Sequence, residues 1–138
     1  GVEAKLESFE EYRREAGALY GNRAEFRARL NTAISAASAT FDADLKKILI
    51  GYCFGGAAVL EAARAGLDLD GFVSFHGGLG TPEGQDYWTT TGPVLLLHGS
   101  ADPVSGMDWL GCSVKPAPRG KYSQWSRDFW RCSAFIYH

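Results

Sequence analysis

The sequence has few of the features that mark membrane, disulfide-rich or zinc-binding proteins. It contains three cysteines, Cys53, Cys112 and Cys132, and this odd number without paired spacing argues against a disulfide scaffold or a zinc site. No apolar run approaches the roughly 20 residues that a transmembrane helix needs. The amino-terminal residues are acidic and mixed, unlike a secretory signal. We therefore expect a protein of a reducing, cytoplasmic compartment that has no membrane partner.

The chain also has little net charge. A formal charge of −2 gives no electrostatic reason to expect a nucleic-acid partner. Residues 111–138 nevertheless have a net charge of +4. The first 110 residues therefore have a net charge of −6, which gives the total of −2. This basic end is rich in Ser, Pro, Trp and Cys and shows no sustained helix or strand period. We predict two parts, a partial folded core at residues 1–110 and an atypical basic tail at 111–138.

Two helix starts precede the first apolar segment. Ser8 and Glu11 have the spacing of a capping box, and Asn22 with Glu25 offers a second start. After the second start, apolar residues recur every three to four positions. These positions are Phe26, Leu30, Ile34 and Ala37. The spacing predicts an amphipathic helix with one face toward the core.

Three apolar segments, at residues 45–52, 71–76 and 93–98, read as buried strands. Between the first two, residues 55–65 favour a helix, and Gly66 lies where a helix stop belongs. Strands that alternate with helices predict the α/β class, with a mostly parallel sheet flanked by helices on both faces.

Residues 51–56, Gly-Tyr-Cys-Phe-Gly-Gly, follow the first predicted strand and precede the helix. They fit the G-x-S-x-G nucleophile elbow with Cys53 in the serine position. We expect a strained backbone at Cys53 and no room for side chains at Gly51 and Gly55. The helix that begins after Cys53 places its positive amino-terminal end near the sulfur, which favours the thiolate over the thiol. The Phe54 N–H is a candidate donor to an oxyanion. A buried structural cysteine in a glycine-rich turn is the alternative.

Several segments of the chain share an order and spacing with one family. They are 50–56 (Ile-Gly-Tyr-Cys-Phe-Gly-Gly), 60–66 (Leu-Glu-Ala-Ala-Arg-Ala-Gly), 73–79 (Val-Ser-Phe-His-Gly-Gly-Leu) and 93–104 (Pro-Val-Leu-Leu-Leu-His-Gly-Ser-Ala-Asp-Pro-Val). Over about residues 44–110 the chain resembles the dienelactone hydrolase family of α/β-hydrolases. The resemblance implies a partial α/β-hydrolase fold that lacks the first strands. It also implies hydrolysis of an ester or lactone of a small molecule by a cysteine nucleophile, without a metal or organic cofactor.

The partners of Cys53 follow from the chain order of such enzymes, which is nucleophile, acid, histidine. Asp102 lies just past the third strand and matches the acid-bearing loop of the family, although an aspartate that only forms a turn is the alternative. His76 and His98 precede Asp102, so this order excludes them, and at strand ends they read as structural groups. His138 follows Asp102 and is the predicted base.

The parts of the family's fold that precede the nucleophile do not fit this chain. They carry a second oxyanion donor and a carboxylate that helps control the cysteine, whereas residues before Cys53 predict helices. We therefore expect an incomplete site and a sheet with an exposed apolar edge. The alternative function is an inactive fragment or module that binds a small ester in a pocket of Tyr52, Phe54 and Trp88, with Tyr52 also a candidate for the core. A serine-hydrolase relative that merely tolerates the cysteine is the third possibility.

Overall fold

The structure, a computed structural model, describes residues 5–42, 44–99 and 101–105 in full and the backbone of two strands at 123–124 and 132–137. Its elements in chain order are α1 (Phe9–Gly21), α2 (Arg23–Ser38), β1 (Ile48–Tyr52), α3 (Phe54–Arg64), β2 (Gly71–Phe75), β3 (Val94–Gly99), β4 (Ser123–Gln124) and β5 (Cys132–Tyr137). In these residues no helix is long and apolar enough to cross a membrane.

Both amino-terminal helices begin where the sequence predicts. Ser8 Oγ accepts the Glu11 N–H at 3.2 Å, and Glu11 Oε2 accepts the Ser8 N–H at 3.0 Å, which completes a capping box at α1. Asn22 Oδ1 accepts the Glu25 N–H at 3.1 Å at the start of α2. Each cap satisfies an N–H group that the first turn of a helix leaves without a partner.

The strands form one sheet in the order β1-β2-β3-β5-β4. The pairs β1–β2, β2–β3 and β3–β5 are parallel, and β4 is antiparallel to β5. A mostly parallel sheet flanked by helices confirms the predicted fold class. Two short strands, β4 and β5, lie within residues 111–138, where the sequence shows no sustained period. The division at residue 110 stays a prediction.

The core lies where α3 covers one face of the sheet. Its buried members are Val59, Leu60, Ala62, Ala63, Leu69, Phe72, Leu79, Val94 and Leu96. Leu30 and Ile34 of α2 pack against this cluster, as the predicted stripe requires. Full burial of each large apolar side chain stabilises the fold by about 1.5–3 kcal/mol. The chain turns at Gly66, whose φ of +65° provides the predicted helix stop.

The other face of β1 is open to solvent. Ile48, Ile50 and Tyr52 are 59%, 55% and 65% exposed, so the prediction of a strand buried on both faces is wrong for β1. Side chains alternate along a strand, and α3 packs on the opposite face from these three. Tyr52 is not a core residue either, because most of it is exposed while its ring stacks on Phe75 at 4.5 Å between centroids. Because β1 is also an outer strand of the sheet, the apolar edge that the sequence predicts is present there.

Candidate functional site

The carboxyl ends of three parallel strands meet at one edge of the sheet, and a candidate side chain follows each strand. Tyr52 and Phe75 are paired in register. The next residues, Cys53 and His76, therefore lie beside each other at this edge. Asp102 lies in the loop after β3. Open α/β sheets hold their ligands at this edge, so the three side chains mark the candidate site.

Cys53 occupies the turn between β1 and α3 in a strained conformation. Its φ is 53° and its ψ is −118°, and such a backbone costs a non-glycine residue about 1–3 kcal/mol. Two hydrogen bonds hold it: the Cys53 N–H donates to Phe75 O at 3.0 Å, and the Ala57 N–H donates to Cys53 O at 3.1 Å. The residue is exposed and its thiol is free. The burial expected of a structural cysteine is thus not observed.

Gly51 permits the close approach of β1 and α3. A Cβ built at Gly51 would overlap the carbonyl oxygen of Gly55. By contrast, a Cβ at Gly55 would meet nothing within 4 Å in the described structure, so the expected collision at Gly55 is wrong. A second close approach lies beside it, because a Cβ at Gly77 would lie 2.5 Å from the carbonyl carbon of Gly56. The segment after β2 is therefore packed against the first turn of α3.

The amino-terminal end of α3 is available to an anion near Cys53. Phe54 is the first helical residue, and N–H groups in the first turn have no acceptor inside the helix. The Cys53 side chain does not cap them. The aligned peptide dipoles give this end a partial positive charge. An oxyanion formed next to Cys53 would meet both the Phe54 N–H and this charge.

The Asp102 carboxylate is fixed by donors on both oxygens. Oδ1 accepts the N–H groups of Val104 at 2.8 Å and Ser105 at 3.1 Å, and Oδ2 lies 2.9 Å from His76 Nδ1. The Val104 N–H, then the His76 ring and then the Ser105 N–H lower the pKa of Asp102 to about 2. Its side chain is only 8% exposed. Asp102 is therefore an oriented carboxylate at neutral pH.

His76 connects this carboxylate to the elbow. Its φ is 47°, and Cys53 and His76 are the non-glycine residues with positive φ in the described part of the chain. The His76 N–H donates to Leu97 O at 2.8 Å, which holds the backbone at the end of β2. Its Nδ1 faces the Asp102 carboxylate, and half of its side chain is exposed. Because a carboxylate accepts, Nδ1 carries the proton in the neutral ring and Nε2 does not.

The pairing of His76 with Asp102 does not follow from the chain order of such enzymes. His76 and Asp102 are 26 positions apart, and they meet because β2 and β3 are neighbours in the sheet. The available signal was the position of His76 directly after a strand that follows the elbow helix.

His98 serves as a structural group, as the sequence indicates. It is 2% exposed, and its Nε2 lies 2.7 Å from the accepting carbonyl oxygen of Ser105. Ser105 Oγ in turn accepts the Leu79 N–H at 2.9 Å. These bonds attach the Asp102 loop to β3 and to the segment after β2. His98 Nδ1 has no hydrogen-bond partner within the described residues.

A cleft of about 720 Å³ lies over the site. Cys53, His76 and Asp102 line it, and α1 contributes much of the opposite side. The residues from α1 and the start of α2 are Phe9, Tyr12, Arg13, Ala16, Tyr20 and Arg23. The cleft thus combines aromatic surface with two basic side chains.

The aromatic residues proposed from the sequence divide between two surfaces. Phe54 lines the cleft, where the Tyr20 ring contacts it edge-on at 5.6 Å between centroids. Tyr52 and Trp88 do not line it and are 65% and 77% exposed.

The structure brings together the predicted site residues Cys53, Phe54 and Asp102, whereas His138 lies outside the described residues. Across residues 5–42, 44–99 and 101–105, His, Cys, Asp and Glu side chains form no group of three or more that could hold a metal ion.

Comparison with known proteins identifies relatives of this arrangement. The model of the dienelactone hydrolase family matches residues 5–110. The solved structure named m3DLH has a TM-score of 0.70 and 35% identity, and the match covers 80% of this chain and 46% of that one. A dienelactone hydrolase-like promiscuous phosphotriesterase from metagenomic libraries also has a TM-score of 0.70 and 35% identity, with 78% and 46% covered. This chain thus spans about half the length of both, and no curated protein matches it significantly.

Proposed function

The chain belongs to the dienelactone hydrolase family, and on that premise we propose that it hydrolyses an ester or lactone of a small molecule through Cys53. The observation that carries this proposal is the exposed Cys53 in a strained turn at the start of α3. Strained backbone at an accessible nucleophile is typical of catalytic positions. The oriented Asp102 carboxylate in the same cleft supports an acyl-transfer site.

In the proposed reaction, the Cys53 sulfur attacks the carbonyl carbon, and the Phe54 N–H donates to the oxygen that gains the charge. One such donor is worth about 10²–10³-fold in rate in other acyl-transfer enzymes. Water then hydrolyses the acyl-enzyme. Asp102 orients the histidine that moves the protons, for which chain order predicts His138.

The cleft indicates which esters to test first. Phe9, Tyr12 and Tyr20 offer aromatic surface to an apolar acyl or alcohol group. Arg23 is engaged, since its Nη1 lies 2.9 Å from a carboxylate oxygen on α3. Arg13 forms no ion pair with any residue in the described part of the chain and is available to a carboxylate on the substrate. We propose apolar or aromatic esters, with a preference for those that carry a carboxylate.

Turnover of p-nitrophenyl acetate tests the nucleophile. We expect Cys53→Ala to lower kcat/KM by about 1000-fold or more, because the covalent route is lost. Cys132→Ala is the matched control, since the Cys132 backbone is the register partner of Val94, at the start of β3 and thus away from the strand ends that precede Cys53 and Asp102. Equal turnover in Cys53→Ala and the unmodified chain would contradict the proposal.

The same assay separates the alternative function, a module that binds esters without cleaving them. That alternative predicts stoichiometric labelling of Cys53 by iodoacetamide with no ester turnover. Paraoxon provides a second electrophile, because one structural neighbour is described as a promiscuous phosphotriesterase. Loss of paraoxon turnover in Cys53→Ala would extend the proposed role of the thiol to phosphorus.

A further inference from the structure

We propose that His76 is the base that takes the proton of Cys53, in a triad whose chain order is nucleophile, histidine, acid. The inference rests on the proposed role of Cys53 and adds a residue to that site. It departs from the nucleophile, acid, histidine order on which the choice of His138 depends. The sheet, the Asp102 carboxylate and the accessibility of the histidines each support it.

The sheet places His76 beside the nucleophile. Tyr52 and Phe75 are register partners, and the Cys53 N–H donates to Phe75 O at 3.0 Å. Cys53 and His76 are the residues that follow these two neighbouring strands, and the backbone of both has a positive φ. Both side chains line the same cleft. Strained backbone at two neighbouring residues is typical of active sites.

The carboxylate fixes the state of the imidazole. Asp102 Oδ1 is occupied by two backbone N–H groups, and its Oδ2 receives the His76 Nδ1–H at 2.9 Å. This bond leaves the lone pair on His76 Nε2, the nitrogen that a base needs. It also stabilises the imidazolium that forms when Nε2 accepts a proton. Asp102 thus does for His76 what the acid of a catalytic triad does.

Accessibility distinguishes His76 from His98. The His98 ring is 2% exposed, and its Nε2 is bonded to Ser105 O at 2.7 Å. The His76 side chain is 50% exposed and forms no bond through Nε2 with any residue that the structure describes. Of these two rings, His76 is the one that can exchange protons with a thiol and with water.

The proton steps balance through this one nitrogen. His76 Nε2 takes the Cys53 S–H proton as the sulfur bonds to the carbonyl carbon and the C=O electron pair moves to oxygen. The pair returns, the C–O bond to the alcohol breaks, and His76 Nε2–H protonates the departing oxygen. Water then attacks the thioester and gives a proton to His76. That proton returns to sulfur as the C–S bond breaks and the carboxylic acid leaves.

The variant His76→Asn tests the role with little disturbance of the backbone. Asparagine tolerates the positive φ of 47° at this position better than most residues other than glycine and offers a polar side chain beside Asp102, but it cannot act as a base. We expect a fall in kcat of about 10²–10⁴-fold with p-nitrophenyl acetate. Circular dichroism and thermal unfolding check that the variant folds.

A readout that needs no turnover is the pH profile of Cys53 alkylation by iodoacetamide. With His76 as base, alkylation of Cys53 near neutral pH depends on the imidazole. In His76→Asn we expect the alkylation rate near neutral pH to fall and the profile to move to higher pH. If no ester is turned over, the proposed function fails, while the alkylation profile still tests His76.

His138→Asn is the rival variant, measured in the same two assays. An alkylation profile that moves in His76→Asn supports the inference, and an unchanged profile in His76→Asn overturns it. If the profile stays in His76→Asn and moves in His138→Asn, the base is His138 and the expected chain order is restored.

Discussion

Two clusters of ionisable side chains lie along helix α3, and they are built in opposite ways. The open cluster is Cys53, His76 and Asp102, at the amino-terminal end of the helix. The closed cluster is Glu61, Arg23, Arg27 and Arg64, around its middle. The first faces the cleft, and the second joins α2 to α3.

In the closed cluster, the buried carboxylate is matched by its donors. Glu61 is 0% exposed and accepts from Arg23 at 2.9 Å, Arg27 at 2.7 Å and Arg64 at 2.9 Å. Burial raises the pKa of Glu61, but the hydrogen bonds from Arg64 and Arg27 outweigh it, so the pKa is lowered. Arg64 also donates to the Tyr87 hydroxyl at 2.7 Å. These bonds satisfy the carboxylate and stabilise the packing of two helices.

In the open cluster, the carboxylate is satisfied but the thiol and one imidazole nitrogen beside it are not. Asp102 is bonded on both oxygens, whereas the Cys53 thiol and His76 Nε2 form no hydrogen bond with residues that the structure describes. The backbone is strained at both Cys53 and His76. The comparison teaches that one carboxylate stabilises the fold by being enclosed, while the role proposed for the other depends on neighbours that are left free.

The largest effect on stability is expected from opening the closed cluster. Glu61→Gln removes the only carboxylate from a group in which Arg64 is 1% exposed, and an uncompensated buried charge costs about 3–5 kcal/mol. The matched control is Glu25→Gln, because the Glu25–Arg29 pair is solvent-exposed and worth about 0.5 kcal/mol or less. Urea unfolding measures both free energies of unfolding, and equal losses would refute the distinction between buried and exposed pairs.

A smaller effect is expected from the glycines that shape the open cluster. Gly51→Ala places a methyl group against the backbone of Gly55, and overpacking of this kind costs about 1–3 kcal/mol. Gly55→Ala meets open space, and alanine in a helix is favoured over glycine by about 0.5–1 kcal/mol. Thermal unfolding should therefore lower Tm in the first variant and keep or raise it in the second. A loss of stability in both variants would contradict this difference and support the expectation from the elbow motif that neither Gly51 nor Gly55 has room for a side chain.

The two clusters also show what the sequence predicts and what it misses. The caps at Ser8 and Asn22 depend on residues three positions away, and the elbow at Cys53 is a local motif, so the sequence predicts them. The contact of His76 with Asp102 depends on the lateral order of strands, which local patterns do not specify.

The same limit applies to the other misses. Glu61 meets Arg27 across 34 positions of sequence, and nothing in the period of either helix marks the pair. The exposure of Ile50 depends on which surface covers β1, whereas its apolar side chain indicates only burial in general.

The smallest expected effect concerns the acid stability contributed by the open cluster. Hydrogen bonds lower the pKa of Asp102 from the ordinary 3.8 to about 2. A carboxyl group with a lowered pKa contributes stability that is complete above the unfolded pKa and is lost as pH falls through the folded one. We therefore expect the stability difference between the unmodified chain and Asp102→Asn to shrink between about pH 4 and about pH 2. Urea unfolding at pH 6, 4 and 2.5 measures this difference. Asparagine retains a side-chain oxygen that can accept from the Val104 and Ser105 N–H groups, so the variant mainly removes the charge. If the difference in unfolding free energy between the two proteins stays constant with pH, the Asp102 contribution comes from loop geometry and the charge makes none.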